Sequence, residues 1–362
     1  MPLRGEVVYL FAFDVGREVL GEAAGPPFAR RGGPADPRRR KTVPADDLLY
    51  RPFHVGLPFE PASVGDSPVS LDARVYDAGV IAVAARLPFT ADRPDDLRRL
   101  HAPRTTGGEP LAAVAGRVCE RVRAALGDAL RGPTETRGPE AYTVFAFAHL
   151  GGEGDAGRWV DDHRAEVGGL LADLDPASLS ESHLADTLRL RCSLERTDAV
   201  VIDWDAAVAV DLAGGVGEVI DVLEVANLQL LEWKVHDAVL DRHLNRAYDH
   251  FARRPGVFSF GWGRVLRELR QLRTDTARLT DEVSNISKFV GDWYLARVYQ
   301  AARERFHLDG WRASLDHRLS QLDRVYGAMQ ADANDRRMLW LEVLIVLLIA
   351  VELLLNLFVR RG

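Results

Sequence analysis

From Met338 to Val359 the chain reads MLWLEVLIVLLIAVELLLNLFV, 22 residues in which only Glu342, Glu352 and Asn356 are polar. At ~1.5 Å rise per residue this run makes ~33 Å of helix, enough to cross a hydrocarbon core of ~30 Å. A helix that is apolar all round has two homes, the interior of a large core or a lipid bilayer. Arg336 and Arg337 precede the run, Arg360 and Arg361 follow it, and Trp340 stands where an interfacial aromatic belongs. The expectation is a transmembrane helix over 338–359 behind a large head, with a buried core helix as the competing reading.

The head has to be a folded body. The chain has 362 residues, 47% of them hydrophobic and 27% charged, which suits a normal core and not a disordered tail. A net charge of −7 argues against a nucleic-acid partner held through phosphates. Cys119 and Cys192 are far apart and form no CxxC, so a disulfide framework is excluded and a reduced, cytosolic head is expected. The N-terminal sequence lacks the charged, apolar and small-residue order of a signal peptide. The head is therefore expected to stay on the cytoplasmic side of a single-pass span.

Along the head, residues 6–13 form a β-branched and aromatic run that reads as a buried strand. Residues 24–46, rich in Gly, Pro and Arg, read as a loop. A hairpin over 69–89 turns at Asp77–Gly79. Helices follow near 92–101 and 110–131, then a strand at 142–149, helices near 159–174 and 179–189, and a second hairpin over 188–212. YLFAFDVG (9–16) echoes TVFAFAHLGG (143–152), and VYDAGVIAVAARL (75–87) echoes VIDWDAAVAVDL (201–212). Two duplicated β-plus-α halves sharing one sheet, or convergent strand composition, both account for these echoes. Either way residues 1–213 are expected to fold as an α+β head.

Beyond Gly214–Gly215 the pattern turns helical. A helix over 214–254 carries an apolar stripe for packing on the head and stops before Pro255. Residues 263–337 read as an antiparallel helical hairpin stalk. Its first arm places Leu269, Leu272, Leu279, Val283, Ile286 and Val290 at spacings of three and four, and its second places Leu315, Leu319 and Leu322 likewise. His307–Gly310 is the expected turn between the arms.

Motifs for chemistry are sparse. The sequence contains no HExxH, P-loop, GxSxG or EF-hand pattern. His236, His243 and His250 share a helix face, but successive ones are ~10.5 Å apart along the axis, too far to grip one metal. GGEGDAG (151–157) reads as a turn. Asp203 and Asp205 flank Trp204 and suit either a turn or a divalent cation, with the turn favoured. No catalytic, metal-binding or cofactor-binding residue is assigned, and no cofactor or enzyme activity is expected. The polar anomalies of the apolar run remain. Glu352 lies about two-thirds of the way through it, with Asn356 one turn on, while Glu342 lies near its start. Glu342, Glu352 and Asn356 are the expected polar face for self-association.

The run LEVLIVLLIAVELLL (341–355) resembles the C-terminal anchor of the required-for-meiotic-nuclear-division family, in which a second Glu follows the first by ten residues, as Glu342 and Glu352 do. Residues 203–244 and VYLFAFDVG (8–16) are also similar to segments of that family. The resemblance implies a membrane protein of unknown function with no established enzymatic activity, and since the sequence has no transit peptide the expected setting is a bacterial inner (plasma) membrane, single-pass, with the head cytoplasmic. The combined expectation is a membrane-anchored, non-enzymatic scaffold or interaction protein. Its partners would be membrane lipid, further copies of itself through stalk and span, and an unidentified protein for the head, with no nucleic acid. The alternative is a transport-related protein similar in architecture to the magnesium channels, which the missing second span and Gly-Met-Asn motif disfavour.

Overall fold

The computed structural model describes residues 1–21, 25, 27–29, 52–135, 138–252, 274 and 293–359. It divides into two units, one of residues 1–234 with 281–310, the other of 235–280 with 311–362. The architecture is mixed α+β, an N-terminal sheet domain followed by C-terminal helices.

The strands are β1 (Leu3–Asp14), β2 (Glu18–Val19), β3 (Phe28–Ala29), β4 (Phe53–Val55), β5 (Ala62–Val64), β6 (Ser67–Tyr76), β7 (Val80–Ala91), β8 (Leu130–Arg131), β9 (Glu140–Leu150), β10 (Arg191–Cys192), β11 (Asp198–Ile202) and β12 (Ala206–Asp211). The helices are α1 (Leu111–Leu126), α2 (Ala156–Asp162), α3 (Arg164–Ala172), α4 (Glu181–Thr187), α5 (Val216–Ala252), α6 (Trp293–Arg305) and α7 (Leu308–Val359). One large sheet runs in the order β10-β11-β12-β9-β1-β7-β6-β4-β3, with β5 paired to β6 and a separate β2–β8 pair.

β1 sits at the centre because neither of its faces can be left wet. Val7, Tyr9, Phe11 and Phe13 point one way and Val8, Leu10 and Ala12 the other, and all are buried. The aromatic face continues through Val83, Ala85 and Leu87 of β7 and Phe145 and Phe147 of β9. It is covered by α1 through Leu111, Val114, Val118 and Val122, by α2 and α3 through Trp159, Val160, Val167 and Leu170, and by the 3₁₀ turn Pro94–Leu100 through Leu97. The opposite face is built of small residues, among them Ala12, Ala82, Ala84, Ala146, Ala207 and Ala209. The first part of α5 lies over it with Val219, Leu223, Ala226, Leu230 and Trp233 buried, and α6 covers the β10–β11 end with Tyr294, Leu295, Val298 and Tyr299. Aromatics on one face and alanines on the other let helices close both sides.

The sequence echoes do not become a symmetric duplication. β1 and β9 are antiparallel neighbours, and the second strand of each hairpin, β7 or β12, lies beside its own long strand. But β7 is antiparallel to β1, whereas β12 is parallel to β9. Between β9 and its hairpin the chain inserts α2, α3 and α4, and a helical crossover is what a parallel return requires. The halves share strand composition and one sheet, not one topology.

Some elements differ from expectation. The helix near 159–174 breaks at His163, whose backbone (φ −111, ψ 25) is not helical and whose ring stacks on Trp159 at 5.0 Å. The stretch near 92–101 is 3₁₀ and not α. The short strands β4 and β5 carry too few residues for a period to show. Of the expected loop at 24–46, Phe28–Ala29 is a strand paired with β4, and most of the remainder lies outside the described residues. The turn between α6 and α7 is at Phe306–His307, with His307 at φ +50.

Residues 293–306, which fall inside the range 263–337 read as the stalk but beyond its apolar seam, pack on the sheet. Arg305 is nearly buried. It donates from Nε to the Ile202 carbonyl at 3.3 Å and from Nη2 to the Asp186 carbonyl at 2.6 Å, and it pairs with Asp186 Oδ2 at 3.0 Å and Asp203 Oδ1 at 3.4 Å. In the second unit, Leu240 and Leu244 of α5 and Leu315 and Leu322 of α7 are buried, and Arg318 of α7 reaches Asp237 at 3.2 Å and Asp241 at 3.1 Å on α5. Among the described residues, then, the 315–322 seam lies beside α5. Leu319 is half-buried, and Leu269, Leu272, Leu279, Val283, Ile286 and Val290 lie outside the described residues.

Gly5 marks where β1 and β9 slip register between Arg4 and Gly5. A Cβ there would sit 1.9 Å from the Ala146 carbonyl oxygen. Gly108 has positive φ (+81) but open space around it. Gly5→Ala is expected to lower stability by about 3 kcal/mol in urea unfolding, against about 1 kcal/mol for Gly108→Ala. Equal losses would mean that close backbone approach at Gly5 does not hold the central pair.

Candidate functional site

Two features stand out, a charged cluster inside the head and an apolar helix surface outside it. The first was invisible in the sequence because its members lie about 150 residues apart. β6 alternates, so Asp72, Arg74 and Tyr76 all project onto the alanine-lined face, where they meet α5. Arg74 Nη1 donates to Asp221 Oδ1 at 2.6 Å and to Glu224 Oε1 at 3.3 Å, and the Tyr76 hydroxyl donates to Glu224 Oε1 at 2.5 Å. Asp72 approaches Arg74 Nε at 3.5 Å. Tyr76 and Glu224 are buried. Further along α5, Asn227 Nδ2 donates to the Glu140 carbonyl at 3.1 Å and Lys234 Nζ to both Glu140 carboxylate oxygens at 2.8 Å. α5 is thus clamped to both the β6 and the β9 side of the sheet. Arg74, Tyr76 and Glu224 are partnered with one another and with Asp221, while the buried Arg74 Nε makes no hydrogen bond.

Burial pushes the Glu224 carboxyl above the ordinary carboxylate range, and the Arg74 charge and the Tyr76 hydrogen bond only partly offset this. The same burial raises the Tyr76 phenol.

The residues singled out from sequence fall as follows. Asp203 and Asp205 lie in the β11–β12 turn. Asp203 N donates to the Ala206 carbonyl at 2.9 Å, its carboxylate faces Arg305, and burial raises it. GGEGDAG is a turn with Gly151 at φ +67, and Asp155 caps α2 by accepting from Arg158 N at 3.0 Å. Among the described residues no group of three or more His, Cys, Asp or Glu could hold a metal ion. An open groove of about 680 Å³ lies along α1, floored by Phe13, Phe59 and Val118. Its rim mixes Arg117 and Arg121 with Glu60 and Glu120, so it selects neither sign of charge.

The second feature is the C-terminal part of α7. From Met338 to Glu352 every side chain is exposed, including Leu341, Leu344, Ile345, Leu348 and Val351. The exposure is not a stripe, because consecutive residues point all round a helix. Glu342 and Glu352 both lie on this surface; the side chain of Asn356 lies outside the described residues. The described stretch 338–352 spans ~22 Å. No helix is long and apolar enough to cross a membrane, when only the described residues are considered. The expected transmembrane helix is therefore not found among them, although the α7 backbone continues to Val359.

The fold thus defines a mixed α+β sheet domain that leads into long C-terminal helices. Residues 4–216 match the family described as "Uncharacterized protein MJ0711, N-terminal domain", and the chain belongs to that family. The match stops at the first residue of α5. A relative, "Uncharacterized protein MJ0711" from Methanocaldococcus jannaschii, is 22% identical over 222 residues, 60% of this chain and 66% of that protein. That is just under two thirds of the relative's length. No solved structure matches the chain.

The Glu224 cluster makes a signed prediction. A carboxyl raised in the fold gives stability that is fully present below its unfolded pKa and is lost as pH rises through its folded pKa. Between neutral pH and the ordinary carboxylate range, the parent is expected to gain stability on acidification relative to Glu224→Gln. Urea midpoints at a series of pH values measure the difference. A difference that is flat, or that falls with acid, would show that Glu224 is not held against its charge.

Proposed function

We propose that this protein is a membrane-anchored, non-enzymatic scaffold or interaction protein. The sheet domain is the head, α7 leads through a helical stalk, and the residues from Met338 onward are embedded in lipid. The carrying observation is the apolar surface of α7, which is exposed all round over 338–352 among the described residues. Burying its twelve large apolar side chains is worth on the order of 20 kcal/mol. An amphipathic helix would dock one face on the head and keep the other wet; this stretch has no polar face to keep wet. With the sequence through Val359 the run reaches ~33 Å, the thickness of a hydrocarbon core.

The head supports the non-enzymatic part of the reading. The charged groups of its buried cluster are paired with one another, and its two cysteines are buried. Burial pushes the Cys119 thiol up to about 12 and also raises Cys192, the opposite of what a thiolate nucleophile needs. The reading keeps the head on the cytoplasmic side of a plasma membrane. It also keeps the resemblance to the required-for-meiotic-nuclear-division family as a guide for residues 217–362, on which the family match is silent.

The full chain, reconstituted with phospholipid vesicles, is expected to float with them and to resist extraction at alkaline pH. Arginine near a span centre costs about 2.5–3.5 kcal/mol per residue. A Leu344→Arg/Leu348→Arg variant is therefore expected to remain in the aqueous fraction with its head folded. Flotation of that variant equal to the parent's would contradict the membrane reading.

A further inference from the structure

Resting on the membrane reading, we propose that the protein self-associates in the membrane through Glu352, with a second copy of the same chain as the partner. Glu352 is exposed on α7, and its helical neighbours at three and four residues before it, Ile349 and Leu348, are exposed and apolar. Nothing within the described chain donates a hydrogen bond to it. Facing lipid, a charged carboxylate at this position is unfavourable, and the cost falls when the group is protonated and another polar group meets it.

The choice of a second copy follows from depth. Partners of a group in the hydrocarbon have to lie at its own level. The other acidic residue of the apolar run, Glu342, is ten residues away, ~15 Å along the axis, and belongs near the first interface. A parallel copy of α7 places its own Glu352 at the same level, and the sequence places Asn356 one turn further on. An isologous pairing lets the protonated carboxyl of one Glu352 donate a hydrogen bond to the carboxyl of the other. Glutamine can make the same contact and leucine cannot, which separates a polar contact from simple apolar packing.

The test uses the full chain in phospholipid vesicles, labelled on the head with donor or acceptor fluorophores and diluted progressively with lipid. Flotation of each variant is measured in parallel. The parent and Glu352→Gln are expected to show energy transfer that persists on dilution. Glu352→Leu is expected to lose it at about tenfold lower protein-to-lipid ratio while still floating. Glu342→Leu is expected to behave as the parent. If Glu352→Leu floats and associates as well as the parent, or if the parent is monomeric in vesicles, the inference is overturned and the membrane reading stands. If the parent does not float, the membrane reading falls and this inference falls with it.

Discussion

The head depends on a central strand with no wet face. β1 carries aromatics on one side and Val8, Leu10 and Ala12 on the other, so it is stable only between two strands and two helical layers. Its antiparallel pairing with β9 joins the two halves of the chain, and β7 closes its other edge. The difference in size between the two faces then sorts the helices. α1, α2 and α3 wrap the bulky side. α5 and α6 come onto the alanine side, where small side chains admit a helix bearing Trp233 and Tyr299.

On that second face apolar packing is joined by charge. Arg74 and Tyr76 grip α5 at Asp221 and Glu224, and Lys234 grips Glu140 about three turns later. These contacts fix which residues of α5 meet which strands. Arg305 does the same for α6, tying it to the Ile202 carbonyl and to Asp186. Partnered buried charges add specificity more surely than stability. Here they join particular residues of the two helices to particular strands and turns of the sheet.

How much of this was legible in the sequence follows from the range of the forces. β1, the β6–β7 hairpin, β9, α1 and α5 were readable because their apolar periods are local and run over several residues. Strands of two or three residues, such as β3, β4 and β10, carry no period. The place of α6 on the sheet was not legible for a related reason. A three-four apolar spacing says only that a helix has a buried face, and Val298 and Tyr299 satisfy it against a sheet as well as against another helix. The parallel return of β12 depended on the insertion of three helices, which strand echoes cannot reveal. The clamp joins β6 to a helix about 150 residues away, beyond any local pattern. The apolar run of α7 was the plainest signal, and over 338–352 it stays exposed among the described residues.

That unpartnered surface makes the claim that the helix is embedded open to direct measurement. Cys119 and Cys192 are buried, so single cysteines introduced at successive positions from Leu339 to Val351 report over a low background. Labelling of the vesicle-reconstituted chain with a membrane-impermeant maleimide should be suppressed at every position from Val343 to Val351, whatever its direction round the helix. Labelling that rises and falls every three to four residues would show one face in water and the other on protein, and would contradict an embedded helix.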